Sequence, residues 1–148
     1  MTVKAIPDGF NTVTPFLNIK NAASAIDAYK NALGAEELMR MHTPTGAVAM
    51  CVLKLGNSRL RIADAIQDPP TQSSLACYFE DANAVWERAV AAGFEIVVPI
   101  QDMFFGDRFG ILKDAFGNRW SIAQHIEDVP PDEIKRRAVE GMKAFERK

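Results

Sequence analysis

Apolar positions along this chain recur with two different periods, and stretches of the two periods alternate. Thr12–Ile19 (Thr-Val-Thr-Pro-Phe-Leu-Asn-Ile) is β-rich and apolar and predicts a strand, with Pro15 pointing to an edge or a bulge because it has no N–H for a ladder. From Ala22 the period lengthens: Ala22, Ile26, Tyr29 and Leu33 recur at helical spacing, with Asn21 at the N-cap position and Gly34 just past the end. Strands follow at Glu36–His42, Val48–Leu55 and Ser58–Ala65, separated by the turns Pro44-Thr-Gly46 and Gly56-Asn57. Ile66–Ser73, with two prolines and polar residues, reads as a loop.

After that loop the order of elements starts again. Leu75–Glu80 predicts a strand, Asp81 an N-cap, and Ala82, Val85, Trp86 and Ala89 a helical stripe that ends at Gly93. Phe94–Ile100, Phe109–Leu112 and Arg119–Gln124 predict three more strands, the last two joined through Phe116-Gly117-Asn118. Cap to closing glycine spans 13 residues in the first helix and 12 in the second, and Gly56-Asn57 is echoed by Gly117-Asn118. Two copies of one βαβββ unit, about 60 residues apart, follow from that self-similarity. Beyond them Ile134, Ala138, Met142 and Phe145 form an apolar stripe between charged faces, an amphipathic helix that could lie on its own domain or on a neighbouring subunit. The expected organisation is a single α+β domain over residues 1–128, with modules at about 12–65 and 74–126, and a C-terminal helix over 129–148.

Composition narrows the function classes. With 148 residues, 48% hydrophobic and 24% charged, the chain is long enough for one sizeable core and is neither fibrous nor disordered. Seventeen Lys and Arg are scattered among nineteen Asp and Glu, for a net charge of −2, so no basic field exists to hold nucleic acid. Cys51 and Cys77 form no CxxC pair and read as buried residues of a reducing compartment. Neither a signal-peptide core nor a run of membrane-spanning length is present, so a cytoplasmic location with no membrane contact is expected.

The segments Thr14-Pro-Phe-Leu, Ala25-Ile-Asp-Ala-Tyr-Lys-Asn-Ala-Leu-Gly-Ala35, Phe105-Gly-Asp-Arg108 and Lys113-Asp-Ala-Phe-Gly-Asn-Arg-Trp120 resemble the vicinal oxygen chelate superfamily of glyoxalase I, bleomycin-resistance proteins and dioxygenases, and more narrowly its PhnB-like branch. The resemblance covers residues 10–127. It implies that the paired βαβββ units form an incomplete barrel with a concave cavity, and that the protein is a homodimer. It does not imply an activity, because the superfamily hosts enzymes and pure binding proteins alike.

In metal-dependent members of that superfamily His, Gln or Glu side chains on the concave face hold a divalent ion. Carried over by distance from the motifs, their positions fall here at Thr14, Ser74 and Ser121, with a fourth at Arg61. Neutral hydroxyls bind a transition ion weakly, and a guanidinium puts positive charge where the cation would sit. A one-residue slip brings Val13, Leu75 and Ile122 inward instead, and neither His42 nor His125 falls on a ligand position. No metal and no cofactor is therefore expected.

Strand alternation puts Thr14, Phe16, Ser74, Ala76, Tyr78, Ser121, Ala123 and His125 on the open face, and Val13, Leu17, Leu75, Cys77, Phe79, Trp120 and Ile122 against the helices. Asp102-Met-Phe-Phe-Gly-Asp-Arg108 adds adjacent aromatics beside an Asp-Arg pair. Asp64 stands alone as a solvated strand-end carboxylate. No nucleophile, phosphate loop or catalytic carboxylate pair is found. The sequence reads as a metal-free protein that binds a small aromatic or heterocyclic molecule for sequestration or antibiotic resistance. Phe16, Tyr78, Phe104 and Phe105 would provide aromatic contacts, Thr14, Ser74 and Ser121 polar anchors, and Arg61 or Arg108 would meet an anion or carbonyl. The alternative is a glyoxalase-like lyase or a dioxygenase-type enzyme with non-standard or absent metal ligands.

Overall fold

Eight strands and three helices build the described part of the molecule in the order βαβββ–βαβββ–α. The structure, a computed structural model, describes residues 2–146, with only the backbone at 144 and 145, so the Phe145 end of the amphipathic stripe lies outside the described side chains. The first module comprises β1 (Phe16–Ile19), α1 (Ala22–Leu33), β2 (Glu36–His42), β3 (Val48–Leu55) and β4 (Ser58–Asp64). The second comprises β5 (Ser74–Tyr78), α2 (Ala82–Ala91), β6 (Glu95–Asp102), β7 (Asp107–Lys113) and β8 (Arg119–His125), and is followed by α3 (Pro131–Gly141).

Each module makes one four-stranded sheet with its first strand at the edge, in the orders β1-β4-β3-β2 and β5-β8-β7-β6. The edge strand runs parallel to the last strand of its module, Phe16 opposite Arg61 and Leu75 opposite Trp120. The two sheets do not close into a barrel. β1 is shorter than expected because Pro15 offers only its carbonyl, which accepts from Arg61 N at 2.9 Å, and pairing begins at the next residue. Val13, placed against the helices by alternation, precedes the strand and is 79% exposed.

Both helices pack on one side and meet each other, and Arg88 of α2 donates to the last carbonyls of α1, Asn31 O at 2.6 Å and Lys30 O at 3.2 Å. Leu17, Ile26, Leu53, Ile62, Leu112, Trp120 and Ile122 form one buried cluster across both modules, with Leu75, Cys77 and Phe79 packed on it. That agrees with the expected division of faces along β5 and β8. The open face of each sheet is what the helices do not cover.

The start of each helix is held in a way that local spacing does not show. Asp81 accepts from Ala84 N at 3.1 Å, the expected cap, but Asn21 lies in the left-handed region at φ 67° and makes no side-chain cap. Asp64 takes its place: Oδ1 accepts from Ala22 N at 2.8 Å and Oδ2 from Val48 N at 2.7 Å. The reading of Asp64 as a solvated carboxylate is corrected accordingly. Gln124 does the same in the second module, accepting from Ala82 N at 3.1 Å. The two contacts share a separation of 42 residues, so the duplication extends to these tertiary contacts.

A buried carboxylate joins the modules. Asp114 Oδ2 accepts from Tyr29 Oη at 2.6 Å and Trp120 Nε1 at 3.0 Å, and Oδ1 from the amides of Phe116 and Asn118 at 2.8 and 3.0 Å. Burial, then the Asp114 charge, pushes the Tyr29 phenol far above its ordinary pKa.

Candidate functional site

Two cavities meet at Arg59. The larger, about 940 Å³, lies between the β3–β4 hairpin of the first module and the edge strand β5, and Arg59, Leu75, Tyr78, Glu80 and His125 are among the residues that line it. The second, about 530 Å³, lies on the open face of the first sheet and is lined by Phe10, Leu38, Met39, Met41, Met50, Val52, Arg59 and Arg61. Ladder register accounts for that lining: Met39 stands opposite Val52, Met41 opposite Met50, and Arg61 opposite both Val52 and Phe16. Methionine fits a surface that must adapt to different apolar shapes.

The larger cavity is bordered by a chain of polar groups. Asp107, almost fully buried, accepts from Tyr78 Oη at 2.7 Å, and its other oxygen lies 2.8 Å from His125 Nδ1. His125 Nε2 lies 2.7 Å from the exposed Asp128. Hydrogen bonds to Asp107 and then Asp128 raise the His125 pKa above its ordinary value, since both carboxylates favour the doubly protonated ring. The bond to Asp107 likewise raises the Tyr78 phenol. Cys77 also borders this cavity, but burial pushes its thiol up to about 11, which leaves it a poor nucleophile at neutral pH.

Of the residues expected in the site, Tyr78 lines the larger cavity and Arg61 the smaller one. Phe16 is partly exposed opposite Arg61, Ser74 is exposed opposite Arg119, and Ser121 is half-buried between Ala76 and Ile111. Thr14 is half-buried ahead of β1. None of these four lines either cavity. Arg108 stands opposite Gln124, on the face away from Tyr78, and pairs with Asp102 at 2.8 Å. Phe105 packs edge-on against both Phe104 and Phe109, with centroids 5.1 and 5.9 Å apart.

Phe104 is covered by α3. A Cβ at Gly141 would overlap the Phe104 ring, and Arg137 donates to Phe104 O at 3.3 Å and to Glu127 Oε1 at 3.3 Å. The amphipathic helix thus lies on its own domain, through the loop after β6. Phe10, Arg59, Met39, Met41, Met50, Asp107 and His125 border the cavities or the polar chain beside them and carry no site role in the sequence reading. The available signal was Arg59 and Arg61 two positions apart, alternating with the core residues Leu60 and Ile62.

The residues at the positions carried over from metal-dependent members of the superfamily have donor chemistry that does not suit a divalent ion. Thr14, Ser74, Ser121 and Arg61 offer hydroxyls and a guanidinium, and among the described residues no group of three His, Cys, Asp or Glu side chains could hold a metal. No helix is long and apolar enough to cross a membrane among the described residues.

An uncharacterised protein of Mycobacterium bovis is 32% identical over 135 residues, which cover 83% of this chain and 89% of its own length. Among solved structures, TioX from Micromonospora sp. ML1 superposes with a TM-score of 0.66 at 20% identity, covering 81% of this chain and all of its own. TnmS3, an antibiotic binding protein from Streptomyces sp. CB03234, gives 0.63 at 16% identity over 84% of this chain and 98% of its own. A PhnB protein from Bacillus cereus, described as a putative 3-demethylubiquinone-9 3-methyltransferase, gives 0.59 at 19% identity over 77% and 99%. These likenesses carry the fold. The family model of the Glyoxalase/Bleomycin resistance protein/Dioxygenase superfamily matches residues 9–122, and the chain belongs to that superfamily.

Proposed function

We propose that this protein binds an aromatic or heterocyclic small molecule without a metal ion, for sequestration or resistance. One observation carries the reading: the open face of the first sheet holds an apolar, methionine-lined cavity of about 530 Å³ bordered by arginines. The hydroxyls and guanidinium of Thr14, Ser74, Ser121 and Arg61, at the positions carried over from metal-dependent members, support the absence of a metal. Such a surface combines apolar area with a few polar groups, the usual make-up of a ligand site. The likeness to an antibiotic binding protein supports sequestration, and the likeness to a PhnB protein supports placement in that branch. We place the protein in the cytoplasm, in keeping with its free cysteines. We also propose a homodimer of about 33 kDa, twice the 16.3 kDa chain, checked by light scattering.

The test is a thermal-shift screen of planar aromatic compounds, run with and without Ni²⁺, Zn²⁺ or Mn²⁺. Compounds that bind the native state raise the Tm by mass action, and the ions leave it unchanged. A stoichiometric metal in the purified protein, or a ligand shift that requires one, contradicts the reading.

A second reading, as a metal-independent enzyme, is favoured by the Tyr78–Asp107–His125 chain, an arrangement suited to moving a proton at a cavity wall. A His125→Gln variant that keeps ligand affinity but loses turnover would establish it.

A further inference from the structure

Two arginines face the smaller cavity with no acid to answer them. Residues 59 and 61 are two apart in β4, so both project to the open face while Leu60 and Ile62 go to the core. Their ladder partners Lys54, Val52 and Phe16 supply no carboxylate, and among the described residues neither arginine makes an ion pair.

What stands over both is an aromatic ring of the chain itself. The Arg59 and Arg61 guanidinium carbons lie 5.0 and 5.7 Å from the centroid of Phe10. The ring arrives on a segment without helix or strand, turned by a bond from Phe10 N to Pro7 O of 3.0 Å. Gly9, at φ +83°, lies directly on the Arg59 guanidinium, where any Cβ would overlap it, and Arg59 Nη1 donates to Asp8 O at 3.1 Å. The remaining tie, Lys4 to Asp8, is exposed at both ends and holds little. A neutral ring attracts guanidinium groups through its quadrupole but cancels neither charge.

We propose that Phe10 occupies the place of a ligand ring, and that the slot takes a planar aromatic anion, such as an aryl carboxylate or sulfonate. The ligand ring takes the place of Phe10 over the two guanidinium groups, in the cavity that Met39, Met41 and Met50 line. Its charged group pairs with Arg59 and Arg61, and the segment around Gly9 moves aside. This rests on the binding reading above and narrows it, adding a ligand charge and a resident competitor. A slot that its own Phe10 leaves open about one-tenth of the time shows about tenfold weaker apparent affinity.

The experiment uses two fluorescent probes with related rings, the anion 1-anilinonaphthalene-8-sulfonate and the neutral N-phenyl-1-naphthylamine. They are titrated into the parent, Phe10→Ala, Gly9→Val, and Phe10→Ala carrying Arg59→Met and Arg61→Met. Gly9→Val strains the backbone at φ +83° and dislodges the segment without changing the ring itself, so the test does not depend on the ring deletion alone. Expected are about tenfold tighter binding of the sulfonate by both single variants, and loss of that gain in the arginine-free variant with the neutral probe unaffected. Equal sulfonate affinity in the parent and both single variants overturns the role of Phe10 while leaving the binding reading standing. Sulfonate binding that ignores the arginines overturns the anion class. Binding of neither probe by any variant overturns the binding reading itself.

Discussion

Replacing Asp114 by Asn removes one charge and exchanges one oxygen for an NH2 group, a small change with a large expected cost. Asp114 is 5% exposed and accepts four hydrogen bonds from Tyr29, Trp120, Phe116 and Asn118. With the amide oxygen kept on the Phe116 and Asn118 amides, the new NH2 faces Tyr29 and Trp120. The Tyr29 hydroxyl can rotate and accept, but the indole N–H cannot. The three retained bonds, to Tyr29, Phe116 and Asn118, lose their charge assistance, and one buried donor is orphaned. At roughly 1.5–3 kcal/mol for the lost charge assistance and 1–3 kcal/mol for the unsatisfied buried donor, the sum is about 2.5–6 kcal/mol, less whatever is recovered by burying no charge. The flipped amide orphans two backbone amides and is worse. Tyr29→Phe removes one of the four donors and costs about 2 kcal/mol. Urea unfolding followed by far-UV circular dichroism measures both variants without relying on Trp120 as the reporter. At about 2–4 °C per kcal/mol for a chain of this size, Asp114→Asn lowers the Tm by about 5–24 °C. A loss below about 1 kcal/mol, or a larger loss from Tyr29→Phe than from Asp114→Asn, refutes the view that this carboxylate holds the modules together.

Two further outcomes follow from the packing and the charge chain. A Cβ at Gly110 would lie 2.5 Å from the Trp86 ring and 2.8 Å from Ile100 Cα, so Gly110→Ala costs about 1–3 kcal/mol by overpacking, read as a lowered urea midpoint at unchanged m-value. The His125 pKa is raised in the folded state, so its stabilising contribution is fully present below the unfolded value of about 6.5 and is lost as pH rises through the folded value. Proton NMR of the ring should titrate above that of an unfolded His, and His125→Gln should flatten the fall in stability over that window. A ring that titrates below the unfolded value contradicts the bonds to Asp107 and Asp128.

The framework was legible because strand alternation and helix period report burial directly. Cys77 against the core and Tyr78 away from it follow from neighbouring positions in one strand. What escaped the sequence depends on long-range contacts. Asp64 reaches a helix start 42 residues earlier, and Phe10 reaches Arg59 across 49 positions, so neither contact leaves a local pattern. Phe104, an expected aromatic contact, packs under Gly141 of α3, and the missing side chain at Gly141 is the trace that this contact leaves in the sequence.

Methionine methyl groups offer the most direct test of where a ligand sits. Three of the six methionines, Met39, Met41 and Met50, line the cavity on the first sheet, whereas Met103 and Met142 do not. In protein labelled with ¹³C at the methionine methyls, titration with 1-anilinonaphthalene-8-sulfonate should shift the Met39, Met41 and Met50 signals together, in proportion to occupancy, and leave Met103 and Met142 in place. Shifts confined to Met103 or Met142, or no shift at saturating probe, would contradict a binding site on the open face of the first module.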